Sequence, residues 1–253
     1  MKMKAMYSVV LLVAVTALLA ISMPVHASKM DDRIESSAKK TYVFKTYLKN
    51  DDIKIQSKNG VVSLTGTVSE ESHKSLAKET VSGLPGVNSV DNHLEVKGES
   101  PAEKSDAWLT AKVKTALLFH RNVSAMTEIN TKDGIVTLQG KAASQAQKDL
   151  TTEYAKDVEG VKDVNNEMTV SNSTKKTNRT TGEKIDDASI TALAKMTLLY
   201  HRSTSAIDTK VITKNGVVKL SGKAKNESEK DLATKLVDDV HGVKSVKNLM
   251  TVE

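Results

Sequence analysis

An eight-residue motif occurs three times in this 253-residue chain and constrains its fold more than any other feature. The first copy runs from Asn59-Gly60 to Gly66, and the others begin at Asp133-Gly134 and Asn215-Gly216. Asn-Gly or Asp-Gly ahead of alternating apolar residues indicates a β-hairpin, because a type I′ turn needs positive φ at both central residues. The glycines Gly60, Gly134 and Gly216 are 74 and then 82 residues apart, so we predict three small domains rather than one.

Each repeat reads as helix, strand, strand, helix, strand. Asp106 is the predicted N-cap of the first helix of repeat 2, and the equivalent helices follow Asp31-Asp32 and Asp186-Asp187. One apolar face recurs at i, i+4, i+7 and i+8 in all three. Its members are Ile34, Ala38, Thr41 and Tyr42; Leu109, Val113, Ala116 and Leu117; and Ile190, Ala194, Thr197 and Leu198. The fold class is therefore α+β, with three tandem αββαβ domains, each a three-stranded sheet packed on two helices.

Two further sets of glycines have predicted structural roles. Gly66, Gly140 and Gly222 fall on the inward face of the second strand, which favours close approach of a helix or a neighbouring backbone over a functional role. Gly86, Gly160 and Gly242 are predicted to end the second helices at C′-like positions.

The first 27 residues are typical of a signal peptide. Lys2 and Lys4 precede an apolar run from Val9 to Ile21, which is short for a bilayer span, and Val25-His26-Ala27 resembles a cleavage site. We therefore expect cleavage after Ala27, a periplasmic location and no transmembrane helix in the mature chain. The absence of cysteine excludes disulfides and a lipidated cysteine. Removal of the two lysines lowers the net charge from +6 to +4, a mild balance that permits contact with anionic lipid without requiring it.

The predicted boundaries are 1–27 for the signal peptide, 28–98 for domain 1, 105–171 for domain 2 and 185–253 for domain 3. Residues 172–184 are rich in Ser, Thr, Asn and Lys and are predicted to form a flexible linker. The segment between repeats 1 and 2 is shorter, so we expect those two repeats to lie closer together than repeats 2 and 3.

The repeated residues resemble the BON domain, a bacterial module named after osmotically inducible and nodulation proteins. The resemblance rests on the Asn/Asp-Gly hairpin motif, on a Gly-Val-x-x-Val pattern and on an Asn-x-(Leu/Met)-x-Val ending. The Gly-Val-x-x-Val pattern begins at Gly86, Gly160 and Gly242, and the endings begin at Asn92, Asn166 and Asn248. The resemblance covers about 200 residues and implies an αββαβ fold, a periplasmic address, no catalysis and roles in envelope stress, phospholipid contact or assistance to outer-membrane clients.

The sequence offers no support for catalysis. It has no nucleophile paired with a base and no dinucleotide or Walker motif, and its histidines lack metal-ligand spacing, so we expect no enzyme activity, metal or cofactor. Gly83-Leu84-Pro85-Gly86 matches a GXXG pattern in only one repeat and without basic residues, so no nucleic-acid partner is expected. His120 and His201 end the first helices of repeats 2 and 3, where the helix dipole favours them; a ligand or pH-sensing role is the alternative.

The surface most suggestive of binding is the first helix of repeat 2. Apolar residues there lie beside basic ones, and repeat 3 carries a similar pattern. Two interpretations remain open: a membrane or partner contact, or a staple at Trp108 with apolar packing under a neighbouring repeat. The candidate contact residues are Trp108, Lys112, Lys114, Leu118, Phe119, Arg121, Leu199, Tyr200 and Arg202.

Taken together, the sequence predicts a non-catalytic, stress-associated periplasmic protein. Its expected partners are envelope proteins or unfolded exported clients, with anionic phospholipid as a further partner, and several weak sites would act together. The alternative is a structural adaptor with one dedicated envelope or cell-wall protein partner.

Overall fold

A computed structural model describes residues 29–98, 101–123, 127–171, 184–204 and 209–253. The predicted signal peptide lies outside these ranges, as does the predicted linker except for Lys184. Repeat 1 comprises α1 (Lys29–Lys40), α2 (Tyr42–Thr46), β1 (Asp52–Lys58), β2 (Val61–Val68), α3 (Glu71–Ser82) and β3 (Ser89–Val96). Its first helix is divided, because Thr41 becomes the N-cap of α2 and accepts a hydrogen bond from the Phe44 amide.

Repeats 2 and 3 follow the same order. Repeat 2 comprises α4 (Asp106–Leu118), β4 (Glu128–Lys132), β5 (Ile135–Gln139), β6 (Lys141–Ala142), α5 (Gln145–Lys156), β7 (Asp163–Asn166) and β8 (Thr169–Val170). Repeat 3 comprises α6 (Asp187–Tyr200), β9 (Thr209–Lys214), β10 (Val217–Ala224), α7 (Glu227–Asp238), β11 (Ser245–Asn248) and β12 (Thr251–Val252). The predicted α+β class with three αββαβ units is confirmed.

Each sheet joins an antiparallel hairpin to a parallel third strand. In repeat 1, β1 pairs antiparallel with β2, and β3 pairs parallel with β2 on its other side. Asn59 and Gly60 have φ of 53° and 77°, as a type I′ turn requires. Inward residues such as Val62 and Leu64 are fully buried under the helices, while the alternate residues face away from them. Each sheet therefore buries one face and exposes the other.

An aspartate at the start of each first helix fixes the hairpin turn. Asp106 was predicted as the N-cap of α4, but Ser105 holds that position, and Asp106 lies one residue inside the helix. Its carboxylate instead accepts hydrogen bonds from the amides of Asp133 (2.8 Å) and Gly134 (2.9 Å). Asp31 and Asp187 make the same pair of bonds to the Asn-Gly amides of their own repeats. The hairpin motif is thus anchored to helix 1 three times.

The structure gives different results for the glycines predicted to face inward on the second strands and for those predicted to end the second helices. Gly66 approaches a neighbouring backbone as predicted, since a Cβ there would lie 2.0 Å from the carbonyl oxygen of Asp52. The prediction that Gly86, Gly160 and Gly242 directly end the second helices is wrong. Helices α3, α5 and α7 end earlier, with C-caps at Gly83, Asp157 and Asp239, and the three glycines lie in the following turn with φ between 88° and 96°.

Repeat 3 lies between the other two. The α6 helix packs along α3 of repeat 1, where the Tyr42 amide donates to Asp186 (2.8 Å) and Lys195 pairs with Glu79 (2.6 Å). Repeat 2 contacts repeat 3 through the ends of helices α4 to α7. The expectation that repeats 1 and 2 would be the closer pair is therefore wrong. The apolar surfaces of repeat 3 pack against both other repeats, and the length of the connecting segment does not decide which repeats pack together.

Candidate functional sites

The candidate contact residues at the helix ends divide into buried and exposed groups. Phe119 is only 1% exposed and packs edge-to-face on Tyr47 of repeat 1, with the ring centroids 5.6 Å apart. It therefore joins repeats and cannot serve as a surface anchor in this packing. Leu118 and Leu199 occupy equivalent positions on α4 and α6 and are 41% and 56% exposed. Tyr200 packs against two hydrophobic clusters, one formed mainly by repeats 1 and 3 and the other by repeat 2, and burial raises its pKa to about 12.

Trp108 lies at the start of α4 and is partly covered. The ammonium of Lys112 lies 4.3 Å from the ring centroid of Trp108, and it also reaches Glu159 at 3.4 Å. Gly160 faces the indole from the turn after α5. This arrangement fits the interpretation of Trp108 as a staple of the helix start, because cation–π contact and packing occupy its ring. Lys114 remains exposed and lies 3.9 Å from Glu70.

The two histidines singled out by the sequence meet at the centre of the contact between repeats 2 and 3. Both are 1% exposed, and their Nε2 atoms are 3.1 Å apart. The Nδ1 of His201 lies 3.1 Å from Oδ2 of Asp157, and the Nδ1 of His120 lies 3.3 Å from Oδ2 of Asp239. The dipole interpretation explained only their place in sequence; their side chains join one repeat to the other.

The surrounding contacts repeat with approximate two-fold symmetry. The amide of Arg121 donates to the carbonyl of Asp239, and that of Arg202 donates to the carbonyl of Asp157, both at 2.9 Å. The side chains of Asn122 and Ser203 also donate to the same aspartates. The symmetry is broken by a tyrosine. Tyr154 stacks on His120 at 3.9 Å and donates a hydrogen bond to Asp239.

The packing of this cluster shifts the pKa values of Asp157 and His120. Burial alone would raise the pKa of Asp157, but hydrogen bonds from His201 and Ser203 and the charge of Arg202 lower it on balance. Burial lowers the pKa of His120, and the Asp239 carboxylate does not cancel that effect. The cluster thus favours the ionised form of Asp157 and the neutral form of His120. Sequence reasoning missed it because the aspartates were not recognised as equivalent C-caps.

The exposed sheet faces of the three repeats differ in charge. The strands of repeat 1 carry two lysines and three acidic residues, and those of repeat 2 carry two of each. The strands of repeat 3 carry five exposed lysines and no acidic residue. We call this surface the basic face; its lysines are Lys210, Lys214, Lys219, Lys223 and Lys247.

Apolar side chains lie among the lysines of the basic face. Ile212 and Leu249 are 47% and 56% exposed, and Lys219 stands between Ile212 on β9 and Lys247 on β11 in the strand register. Among the five lysines of the basic face, and within the described ranges, only Lys223 has an acidic partner within 4 Å, Glu253 at 3.7 Å. The basic face is therefore a positively charged sheet surface with exposed apolar side chains.

The described residues contain no group of three or more His, Cys, Asp or Glu side chains placed to hold a metal ion. Over the same ranges, no helix combines the length and apolar character needed to cross a bilayer.

Comparison with known proteins gives a consistent result. A family model described as "BON domain" matches residues 30–98, 105–172 and 186–253. Osmotically-inducible protein Y of Escherichia coli is 34% identical over 171 residues, which is 62% of this chain and 84% of that protein. Outer membrane lipoprotein DolP of Haemophilus influenzae is 32% identical over 143 residues, 56% of this chain and 71% of that protein.

Among solved structures, a type III secretion system protein of Chlamydia trachomatis aligns with 87% of this chain and 90% of its own. Its TM-score is 0.25 at 16% identity, so that likeness carries no argument.

Proposed function

The chain belongs to the BON domain family, and on that premise we propose that it is a non-catalytic, periplasmic, stress-associated protein that binds anionic phospholipid surfaces through its third repeat. The observation that carries this proposal is the basic face, with five exposed lysines and no acid on its strands. Lysines near an anionic membrane surface contribute roughly 1 kcal/mol each. The two relatives named for osmotic induction and for the outer membrane support an envelope role.

The basic face is an exposed sheet surface, and an exposed surface suits contact with a bilayer. Ile212 and Leu249 can enter the headgroup region, while the long lysine side chains reach phosphate groups around them. Repeats 1 and 2 have nearly balanced sheets, so the attraction is concentrated on one side of the molecule. The sequence led us to expect several weak sites that act together. Because of this asymmetry, we instead propose one dominant lipid-binding surface.

The test is co-sedimentation of residues 28–253 with phosphatidylglycerol-containing vesicles and with phosphatidylcholine vesicles, at low and moderate salt. We expect binding to the anionic vesicles alone, weakened by salt. The double variant Lys219→Gln, Lys247→Gln should bind roughly 30-fold more weakly, because two lysine contributions are lost. The matched control Lys54→Gln, Lys58→Gln on the first sheet should bind like the parent. Equal loss in both variants, or binding to neutral vesicles, would contradict the proposal.

A second candidate function is capture of unfolded exported clients. Exposed Leu118 and Leu199 at equivalent helix positions favour it, because such residues can cover apolar segments of another chain. Suppression of client aggregation by the parent, lost in Leu118→Ser, Leu199→Ser and retained in the basic-face variant, would support this function. Saturable binding to a single envelope protein would instead favour the adaptor alternative.

A further inference from the structure

The contact between repeats 2 and 3 includes a hydrogen bond between the two Nε2 atoms, which requires at least one of the two imidazoles to be unprotonated. The carboxylate of Asp157 accepts from Nδ1 of His201, so that nitrogen carries hydrogen. The Nε2 of a neutral His201 is then an acceptor, and the Nε2 of His120 must donate across the 3.1 Å separation. His120 in this tautomer has a bare Nδ1, in agreement with the absence of a hydrogen bond at that atom, and the Asp239 carboxylate 3.3 Å away can accept from this nitrogen once it carries a proton.

Protonation of both rings removes this arrangement. One added proton can be accommodated, because a hydrogen on Nδ1 of His120 would point at Asp239 and leave one Nε2 as the acceptor of the central bond. A second added proton would place two N–H groups head to head, and the two positive rings would face each other in a buried site, where water cannot screen them. Separated repeats expose both rings to water, and there the histidines accept protons at their ordinary pKa. Acid therefore favours separation over contact.

We propose that the His120–His201 pair is an acid-sensitive switch, which holds repeat 2 on repeat 3 near neutral pH and releases it on mild acidification. Charged and titratable groups from every element packed around the pair face the two histidines. Tyr154 and Asp157 come from α5 and its cap, and Arg121 and Arg202 follow α4 and α6. Asp238, Asp239 and His241 come from the end of α7 and the turn beyond it.

These neighbours do not remove the acid sensitivity. Asp157 and Asp239 are each held by further donors, so their charge is shared with Ser203, Tyr154 and the arginines. Burial also lowers the pKa of His241, which titrates in the same direction as His120. Asp157 titrates only at much lower pH, because its hydrogen bonds from His201 and Ser203 lower its pKa. The histidines thus define the window for release.

Repeat 1 lacks this switch. The positions equivalent to the paired histidine and aspartate are Lys45 and Gly83, and repeat 1 contacts repeat 3 through apolar packing, Lys195–Glu79 and the Tyr42–Asp186 bond. None of those contacts contains an imidazole. Release should therefore move repeat 2 away from a unit formed by repeats 1 and 3, and expose Phe119, Val158 and Val240.

The experiment uses residues 28–253, whose sequence has no cysteine, so introduced labels are unique. Spin labels at Asp149→Cys and Lys235→Cys, both exposed, report the distance between repeats 2 and 3 by pulsed electron resonance. Labels at Lys54→Cys and Lys235→Cys report repeats 1 and 3 as the matched control. Between pH 7.5 and pH 5.0, each excluded proton should raise the ratio of open to closed molecules about 30-fold.

We expect the first distance to lengthen reversibly, with a midpoint between about pH 5 and 6.5, while the second stays constant. His93→Gln, at an exposed histidine of repeat 1, should keep the transition, and His120→Gln, His201→Gln should lose it. An unchanged distance at pH 5.0, a midpoint below about pH 4 where carboxylates titrate, or a transition that survives in the double variant would each overturn the proposal.

Discussion

Phe119→Ala tests whether the three repeats form one cooperative body. The Phe119 side chain belongs to the larger hydrophobic cluster, which otherwise consists of residues from repeats 1 and 3, although Phe119 itself follows α4 of repeat 2. Its ring lies at 88° to that of Tyr47, an edge-to-face contact between repeats 1 and 2. One substitution therefore removes packing at the point where all three repeats meet.

The magnitude follows from burial. Phe119 is 1% exposed, and truncation of a buried phenylalanine to alanine costs about 3–5 kcal/mol. If the repeats separate rather than leave a cavity, the same free energy shifts the docking equilibrium by roughly 150-fold to 5,000-fold. Leu118→Ala is the matched control, because the adjacent residue is 41% exposed and should lose well under half as much.

Urea denaturation followed by circular dichroism measures both variants, and amide hydrogen exchange resolves the response by repeat. We expect Phe119→Ala to lower the unfolding midpoint and to raise exchange in α3 and α6 as well as α4. If the two alanine variants differ by less than about 0.5 kcal/mol, or exchange rises only within repeat 2, then Phe119 does not join the repeats.

Three other perturbations test separate features. Asp187→Asn should destabilise repeat 3 by about 1–3 kcal/mol, because the carboxylate accepts two turn amides, whereas Asp231→Asn on an exposed site should change little; urea midpoints compare them. Gly66→Ala should prevent stable folding of repeat 1, since its Cβ would meet the Asp52 carbonyl at φ +113°, while Gly98→Ala, with open space around it, should cost only about 1 kcal/mol by the same assay. The free energy of unfolding should fall as the pH drops below about 6.5, because burial lowers the folded pKa of His120 and the unfolded state then binds more protons; stability that is constant from pH 7 to 5 would contradict this.

The sequence predicted the fold of each repeat well because local patterns determine it. The Asn-Gly turns impose their φ values, and the alternation around Val62 and Leu64 specifies which face of the strand is buried. Helix ends were predicted less well. Each of the glycines beyond α3, α5 and α7 lies in a turn, four residues after the last helical residue, because Gly83, Asp157 and Asp239 cap the helices first.

Contacts between repeats lay outside the reach of sequence patterns. Nothing in the spacing of His120 and His201 shows that their rings meet, since the pairing arises from two helix ends related by approximate symmetry. The basic face was readable in principle, because five outward lysines alternate with inward residues on the strands of repeat 3. The net charge of the whole chain is mild and does not reveal this local excess of lysine.

The position of repeat 3 between its neighbours sets an order for assembly. A ribosome makes repeat 1 first, yet the surface that covers α3 belongs to α6, and the Tyr42–Asp186 bond spans 144 residues. Repeat 1 must therefore wait, with part of its apolar surface uncovered, until the last third of the chain has been made. During that interval its α3 surface is open to capture by chaperones or by other unfolded chains, so the delay before repeat 3 becomes available bears directly on the yield of assembled protein.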